Sequence, residues 1–262
     1  MRKVKTLILR TAGTNCDIET AHAFREAGAE AELVHINALI ADKKALSGFD
    51  ILAIPGGFTY GDDIASGKIL ANELRHSLKE DLAGFIKDGK LIIGICNGFQ
   101  VLVKMGLLPG NDPRSEDTID ATLTRNDSGR FESRWVHLEK CDSNCVWTKG
   151  LPDRIYLPVA HGEGKFIPRN SSILRTINTN SQVVFRYVDK NGKRAGYPDN
   201  PNGSIDDIAG ISDPTGRIFG LMPHPERHIT HVQHPHWHRY LNKKEMGIGL
   251  HIFKNGVKFV KN

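Results

Sequence analysis

The chain reads as an α/β protein built on an open, mostly parallel sheet flanked by helices, with extra antiparallel strands. Three observations point to that class. Over the first hundred residues, short β-branched runs alternate with segments of helical spacing. Glycine pairs punctuate the strand ends, and after Pro109 shorter strand-like runs follow one another. With 262 residues, 39% hydrophobic and 25% charged, the chain can bury one large core, so a single domain over 1–262 is expected, with a C-terminal extension over about 229–262.

In order, Val4 to Leu9 is the first strand, and its apolar run is too short for a signal peptide or a membrane span. Asp17 to Ala27 has helical spacing, Glu32 to Ile36 and Asp50 to Ile54 are strands, and Ile69 to Lys87 is a long helix. Lys90 to Ile95 is a buried strand and Asn97 to Met105 a helix that faces a sheet. Such alternation implies parallel strands with right-handed crossovers. Thr118 to Arg125, Arg134 to Glu139, Arg154 to Val159, Val183 to Val188 and Ile208 to Ile211 are shorter strands, expected to extend the sheet and to lay an antiparallel layer over the site. Gly216 to Leu221 is a turn and strand; Asn111 to Asp120 and Tyr197 to Asp207 are loops. The basic segment after Arg239 contains GIGLHIFKNGVKFV, which is compatible with a terminal hairpin.

Chemistry concentrates at Gly94-Ile95-Cys96-Asn97-Gly98. A cysteine after an apolar strand is often just a small core residue. Flanking glycines and a following helix instead describe a nucleophile elbow, whose central side chain stands clear of the turn. The helix N-terminus beneath it stabilises negative charge, and the Asn97 N–H is placed to receive an oxyanion. A nucleophile needs a base, and Leu221-Met222-Pro223-His224-Pro225-Glu226 follows a strand. Its prolines favour extended geometry, in which His224 and Glu226 emerge on one side and can touch. Alone, this tripeptide would be a proline-rich turn; with the elbow it completes a Cys-His-Glu set. Pro55-Gly56-Gly57, also past a strand, makes Gly57 a second oxyanion donor if it shares the edge of Cys96.

Together GICNGFQ, LMPHPER and PGGFTYGDD resemble the class I glutamine amidotransferases. Within that class, the runs at 57–62 (GFTYGD), 125–135 (RNDSGRFESRW) and 160–166 (AHGEGKF) resemble the family of glutaminase subunits of phosphoribosylformylglycinamidine synthase. The resemblance implies a flavodoxin-like, three-layer fold. It makes Cys96 the nucleophile, His224 the acid and base, and Glu226 the orienting carboxylate. It gives Gly57 and Asn97 the oxyanion hole, and Gln100 and Asn126 the bound glutamine. The segment 63–72 is more charged than in the bacterial subunits, and 229–262 runs past where they usually stop.

No GxxxxGK[ST] loop and no helix-opening GxGxxG occurs, so the ammonia acceptor is expected on another polypeptide. In the resembled family that partner is a synthetase subunit using ATP and magnesium, joined in many organisms by a small third subunit; no cofactor is expected in this chain. The net charge of +5 is spread along the sequence without an aromatic-interleaved stripe, which argues against nucleic acid. Four irregularly spaced cysteines fit a reducing cytoplasm, not a disulfide framework, and no membrane partner is expected. Two other classes compete with the glutaminase: a free-standing cysteine hydrolase, and a non-catalytic scaffold or metal binder built on the histidine run His224, His228, His231, His234, His236 and His238. That run lacks a complementary carboxylate or cysteine at a recognised spacing, so no metal site is assigned. Cys141 and Cys145, without a second pair, are weaker still.

Overall fold

A computed structural model describes residues 2–110, 112, 119–239 and 246–262. In chain order the elements are β1 (Lys5–Arg10), α1 (Asp17–Glu26), β2 (Glu30–His35), α2 (Ile36–Ala41), β3 (Ile51–Ile54), α3 (Lys68–Lys87), β4 (Leu91–Ile95), α4 (Asn97–Lys104), β5 (Ala121–Thr124), β6 (Glu132–Lys140), β7 (Arg154–His161), β8 (Lys165–Pro168), α5 (Ser171–Thr179), β9 (Val183–Val188), β10 (Ile208–Ser212), β11 (Ile218–Leu221) and α6 (Gly249–Lys261).

Nine of the described strands form one sheet in the order β2-β1-β3-β4-β11-β10-β9-β6-β7. From β2 to β11 neighbours are parallel; from β11 to β7 they are antiparallel. Both β3 and β4 are buried at every residue, as expected of inner parallel strands covered on both faces, which is why they read as unbroken apolar runs. Helix α4 is buried along its whole length. The later strands chiefly continue the sheet, and the separate layer is only the β5–β8 pair, packed against α4. Part of the strand expected from Thr118, and most of the loop 111–120, lie outside the described residues.

The end of the chain differs from the sequence expectation. It forms helix α6, not a hairpin. Asn255-Gly256 imitates a hairpin turn, but Ile252, Phe253, Gly256 and Val257 repeat at helical spacing and are buried. Gly256 is a contact point: a Cβ there would lie 2.3 Å from the Trp147 ring. The Phe253 and Phe24 rings meet edge to face at 5.0 Å, and Asn255 Nδ2 donates to the Trp147 and Lys149 carbonyls at 2.9 and 2.8 Å. Packing on α1 therefore overrides the local turn signal.

Candidate active site

Register alone brings the site together. Leu221 pairs with Ile95 in β11 and β4, and Ile54 pairs with Gly94 in β3 and β4. The residues just beyond these ends, His224, Cys96 and Gly57, therefore emerge at one carboxyl edge of the parallel strands, where open α/β sheets place their ligands.

Cys96 sits between β4 and α4 with φ 51° and ψ −103°. For a residue with a Cβ this conformation costs about 1–3 kcal/mol and is tolerated where the surroundings enforce it. They do so here. Cys96 N–H donates to the Leu221 carbonyl at 2.8 Å, and the Cys96 carbonyl accepts from Gln100 N–H at 3.1 Å. A Cβ on Gly98 would fall 1.9 Å from the Ile54 carbonyl oxygen, so only glycine lets α4 approach β3 this closely. The thiol points to the Ala160 carbonyl at 3.6 Å.

His224 is fixed by its N–H donating to the Pro158 carbonyl at 2.8 Å, and its Nδ1 meets Glu226 Oε1 at 2.6 Å. Both side chains are buried, and His224 Nε2 and Glu226 Oε2 have no hydrogen-bond partner among the described residues. Burial alone would lower the His224 pKa. The negative charge of Glu226, then that of the Cys96 sulfur, outweighs it and holds the imidazole well above its ordinary value. The sign of the linkage follows. A folded-state pKa raised above 6.5 contributes stability that is complete below that value and is lost as pH rises through the raised one. The difference in denaturant stability between the wild type and His224→Asn should therefore be full below pH 6.5 and shrink as pH rises above it. A constant difference would show that the charged ring does not stabilise the fold.

Gly57 has φ 148°, and a Cβ there would lie 2.7 Å from the Gly13 carbonyl oxygen. The hydrogen bonds of its bridge with Thr14 come from neighbours, Cys16 N–H to Gly56 O at 3.2 Å and Phe58 N–H to Gly13 O at 2.9 Å, so the bridge does not use the Gly57 N–H. Asn97 opens α4, where backbone N–H groups have no acceptor within the helix. Its side chain is spoken for: Oδ1 accepts from Thr59 at 2.7 Å, and Nδ2 donates to Asp62 and Gln100 at 3.2 and 2.9 Å.

Gln100 and Asn126 are both buried and both engaged within the protein. Gln100 Nε2 donates to the Glu163 carbonyl. Asn126 Nδ2 donates to the Arg130 and His161 carbonyls at 2.9 and 2.8 Å, and its Oδ1 accepts from Gly164 N–H at 3.0 Å. The two amides thus shape the turn between β7 and β8, the AHGEG segment beside the thiol.

Two residues joined to this site were not singled out from the sequence. Cys16 occupies the N-cap position of α1 beyond β1, within reach of the His224–Glu226 pair. His161, at the end of β7, is pushed down to about 3 by burial and by the charge of His224, so its ring stays neutral. Strand-end position was the available signal for Cys16, which follows β1 as Gly57 follows β3. The rim carries an exposed aromatic pair, Phe58 and Phe131, with ring centroids 6.1 Å apart.

The chain is similar in sequence and in fold to known proteins. Residues 3–260 match the CobB/CobQ-like glutamine amidotransferase domain. Phosphoribosylformylglycinamidine synthase subunit PurQ of Dehalococcoides mccartyi is 55% identical, over 100% of this chain and 99% of that protein. The subunit of the same name from Methanococcus maripaludis is 47% identical over 97% of both chains. Among solved structures, one described as PurLQS from Thermotoga maritima superposes with a TM-score of 0.73 at 30% identity, covering 98% of this chain and 99% of the other. The match to the first of these proteins runs through residues 229–262 as well.

Proposed function

The chain belongs to the glutamine amidotransferase family, as a glutaminase subunit of phosphoribosylformylglycinamidine synthase, and we propose that Cys96, His224 and Glu226 are its catalytic triad. One observation carries this reading: parallel β4 and β11 in register deliver the strained Cys96 and the His224–Glu226 pair, closed at 2.6 Å, to the same sheet edge.

The chemistry is acyl transfer. The Cys96 thiolate attacks the side-chain amide carbon of glutamine, and the tetrahedral oxyanion is received by the N–H groups of Gly57 and Asn97. The imidazolium of His224 gives its proton to the departing nitrogen, releasing ammonia and leaving a thioester on Cys96. His224, now neutral, takes a proton from water, which attacks the thioester and frees glutamate and the thiolate. Glu226 fixes the tautomer and supports the imidazolium. Gln100 and Asn126 act on the bound glutamine by holding the 161–164 turn in place.

Ammonia set free in neutral water becomes ammonium and loses its nucleophilicity, so it must be consumed nearby. We propose that it passes to a synthetase subunit which, with ATP and magnesium, converts formylglycinamide ribonucleotide to formylglycinamidine ribonucleotide in purine biosynthesis in the cytoplasm, with a small third subunit completing the assembly. The chain itself needs no cofactor for this reaction. The Phe58–Phe131 pair supports docking of a partner over the site, since exposed paired aromatics at a cleft rim are characteristic of interfaces.

An electrophilic glutamine analogue tests the reading. Peptide mapping of the treated complex should find a single adduct, on Cys96, suppressed by excess glutamine. Labelling spread over Cys16, Cys141 and Cys145, or indifferent to glutamine, would overturn it.

A further inference from the structure

We propose that Cys16, His224 and Glu226 form a binding site for a thiophilic divalent cation such as Zn²⁺, and that the bound ion arrests glutamine hydrolysis. The inhibitory half rests on the triad reading above; the binding half does not.

Among the described residues, metal-ligating side chains converge at these three, whose donor atoms all lie within 4.8 Å of one another, and not in the histidine run 228–238. Each is buried. A thiolate, an imidazole and a carboxylate are the donor types that zinc takes in protein sites. Zn–S near 2.3 Å and Zn–N or Zn–O near 2.0 Å ask ligand atoms to stand roughly 3.3–3.7 Å apart around a tetrahedron. The His224–Glu226 pair, at 2.6 Å, opens slightly to admit the ion, and Cys16 closes in by a side-chain turn. Glu226 Oε2, buried and without a partner among the described residues, is an acceptor already desolvated and waiting for a cation.

Gly56 shows which face of the ring is involved. A Cβ there would touch His224 Cε1 at 2.8 Å, Cys16 Sγ at 3.1 Å and His224 Nδ1 at 3.4 Å, so the thiol and the Nδ1 edge meet over one bare backbone carbon. Cys96 is outside the ligand set. On this face Asn15 Oδ1 accepts from the Cys16 thiol at 3.2 Å, and Arg227 Nη2 donates to its sulfur at 3.1 Å. The Arg227 charge is shared with Glu19, whose Oε1 accepts from it at 3.1 Å, so it can withdraw to that partner.

Binding replaces the thiol proton of Cys16 and the Nδ1 proton of His224, both released to solvent, and takes apart the Nδ1–Glu226 hydrogen bond. Nε2 keeps its proton, and the ring can no longer cycle between imidazole and imidazolium. Because glutamine binds on the Cys96 side, the ion should lower kcat and leave KM for glutamine unchanged.

Co²⁺ titration of the full chain reads the site without turnover, because a thiolate ligand adds a charge-transfer band in the near ultraviolet that nitrogen-only coordination by exposed histidines lacks. The band should appear at one equivalent in the wild type and in Cys96→Ala, vanish in Cys16→Ser, and be displaced by Zn²⁺. In the assembled synthase, Cys16→Ser should need about tenfold or more Zn²⁺ for the same fractional inhibition, each variant being judged against its own uninhibited rate. Should Cys16→Ser fail to fold, Glu226→Gln decides, since it spares both thiols and must weaken Co²⁺ binding. A band that survives in Cys16→Ser and disappears in Cys96→Ala, or no thiolate band at all, overturns the proposal. An intact band in a chain whose Cys96 resists the glutamine analogue would instead count against the triad alone.

Discussion

Replacing Cys96 with alanine should lower glutamine-dependent amide transfer by the assembled synthase on the order of 10⁴-fold or more, and leave the ammonia-driven reaction at its wild-type rate. The size follows from the role. Without the sulfur no thioester forms, and the remaining oxyanion donors and binding contacts act only on direct attack by water; removing the nucleophile of a comparable triad costs about as much as removing the whole set. The side chain is small and buried beside the Ala160 carbonyl, so alanine deletes little packing. It also relieves nothing essential, because the turn is enforced by Gly94, Gly98 and the Leu221 carbonyl, none of which the substitution touches. Supplying ammonium salt at a pH where free ammonia is present bypasses this chain. Steady-state assays with glutamine and with ammonia, on the same preparation, therefore separate lost chemistry from lost assembly. Parallel loss of both activities would mean that Cys96 serves the structure of the complex.

Much of this site was legible because its constraints are local. An apolar run, two glycines and a helix specify an elbow within a dozen residues, and His-Pro-Glu brings its own two side chains together by extended geometry. The parallel strands were readable for the same reason: both faces of β3 and β4 are covered, so their apolar runs have no polar interruptions. What stayed hidden depends on distant neighbours. Cys16 reaches His224 only because β1 and β3 are adjacent and the Thr14–Gly57 bridge folds one loop over the other. Gln100 and Asn126 could be placed near the substrate, but that their amides are bonded to the 161–164 turn is a fact of tertiary packing. Helix α6 was masked by Asn255-Gly256, whose turn signal loses to the Trp147 and Phe24 contacts. Strand β8 and helix α5 are hard to read because both are short: KFIP has four residues, and the apolar stripe of α5 is only Ile173, Leu174 and Ile177.

One substitution made at two glycines should have opposite effects, and the contrast tests whether close approach, not glycine content, builds the elbow. Gly98→Ala places a methyl 1.9 Å from the Ile54 carbonyl oxygen and 3.1 Å from the Ile54 Cβ. Neither can give way cheaply, since the carbonyl belongs to an inner strand locked to β1 and β4. Helix α4 must move outward, and overpacking against fixed backbone costs about 3 kcal/mol or more. The shift also carries the Asn97 N–H away from the oxyanion, where a displacement of about 1 Å removes on the order of 10²-fold in rate. A methyl added at Gly84, within α3, would meet nothing within 4 Å, so Gly84→Ala gains helix propensity without a clash and should stabilise by about 0.5–1 kcal/mol. Denaturant midpoints of the two variants should fall on opposite sides of the wild type, with glutamine turnover reduced only in the first. If Gly98→Ala keeps both its midpoint and its turnover, β3 and α4 are not in the close contact on which the geometry of Cys96 depends.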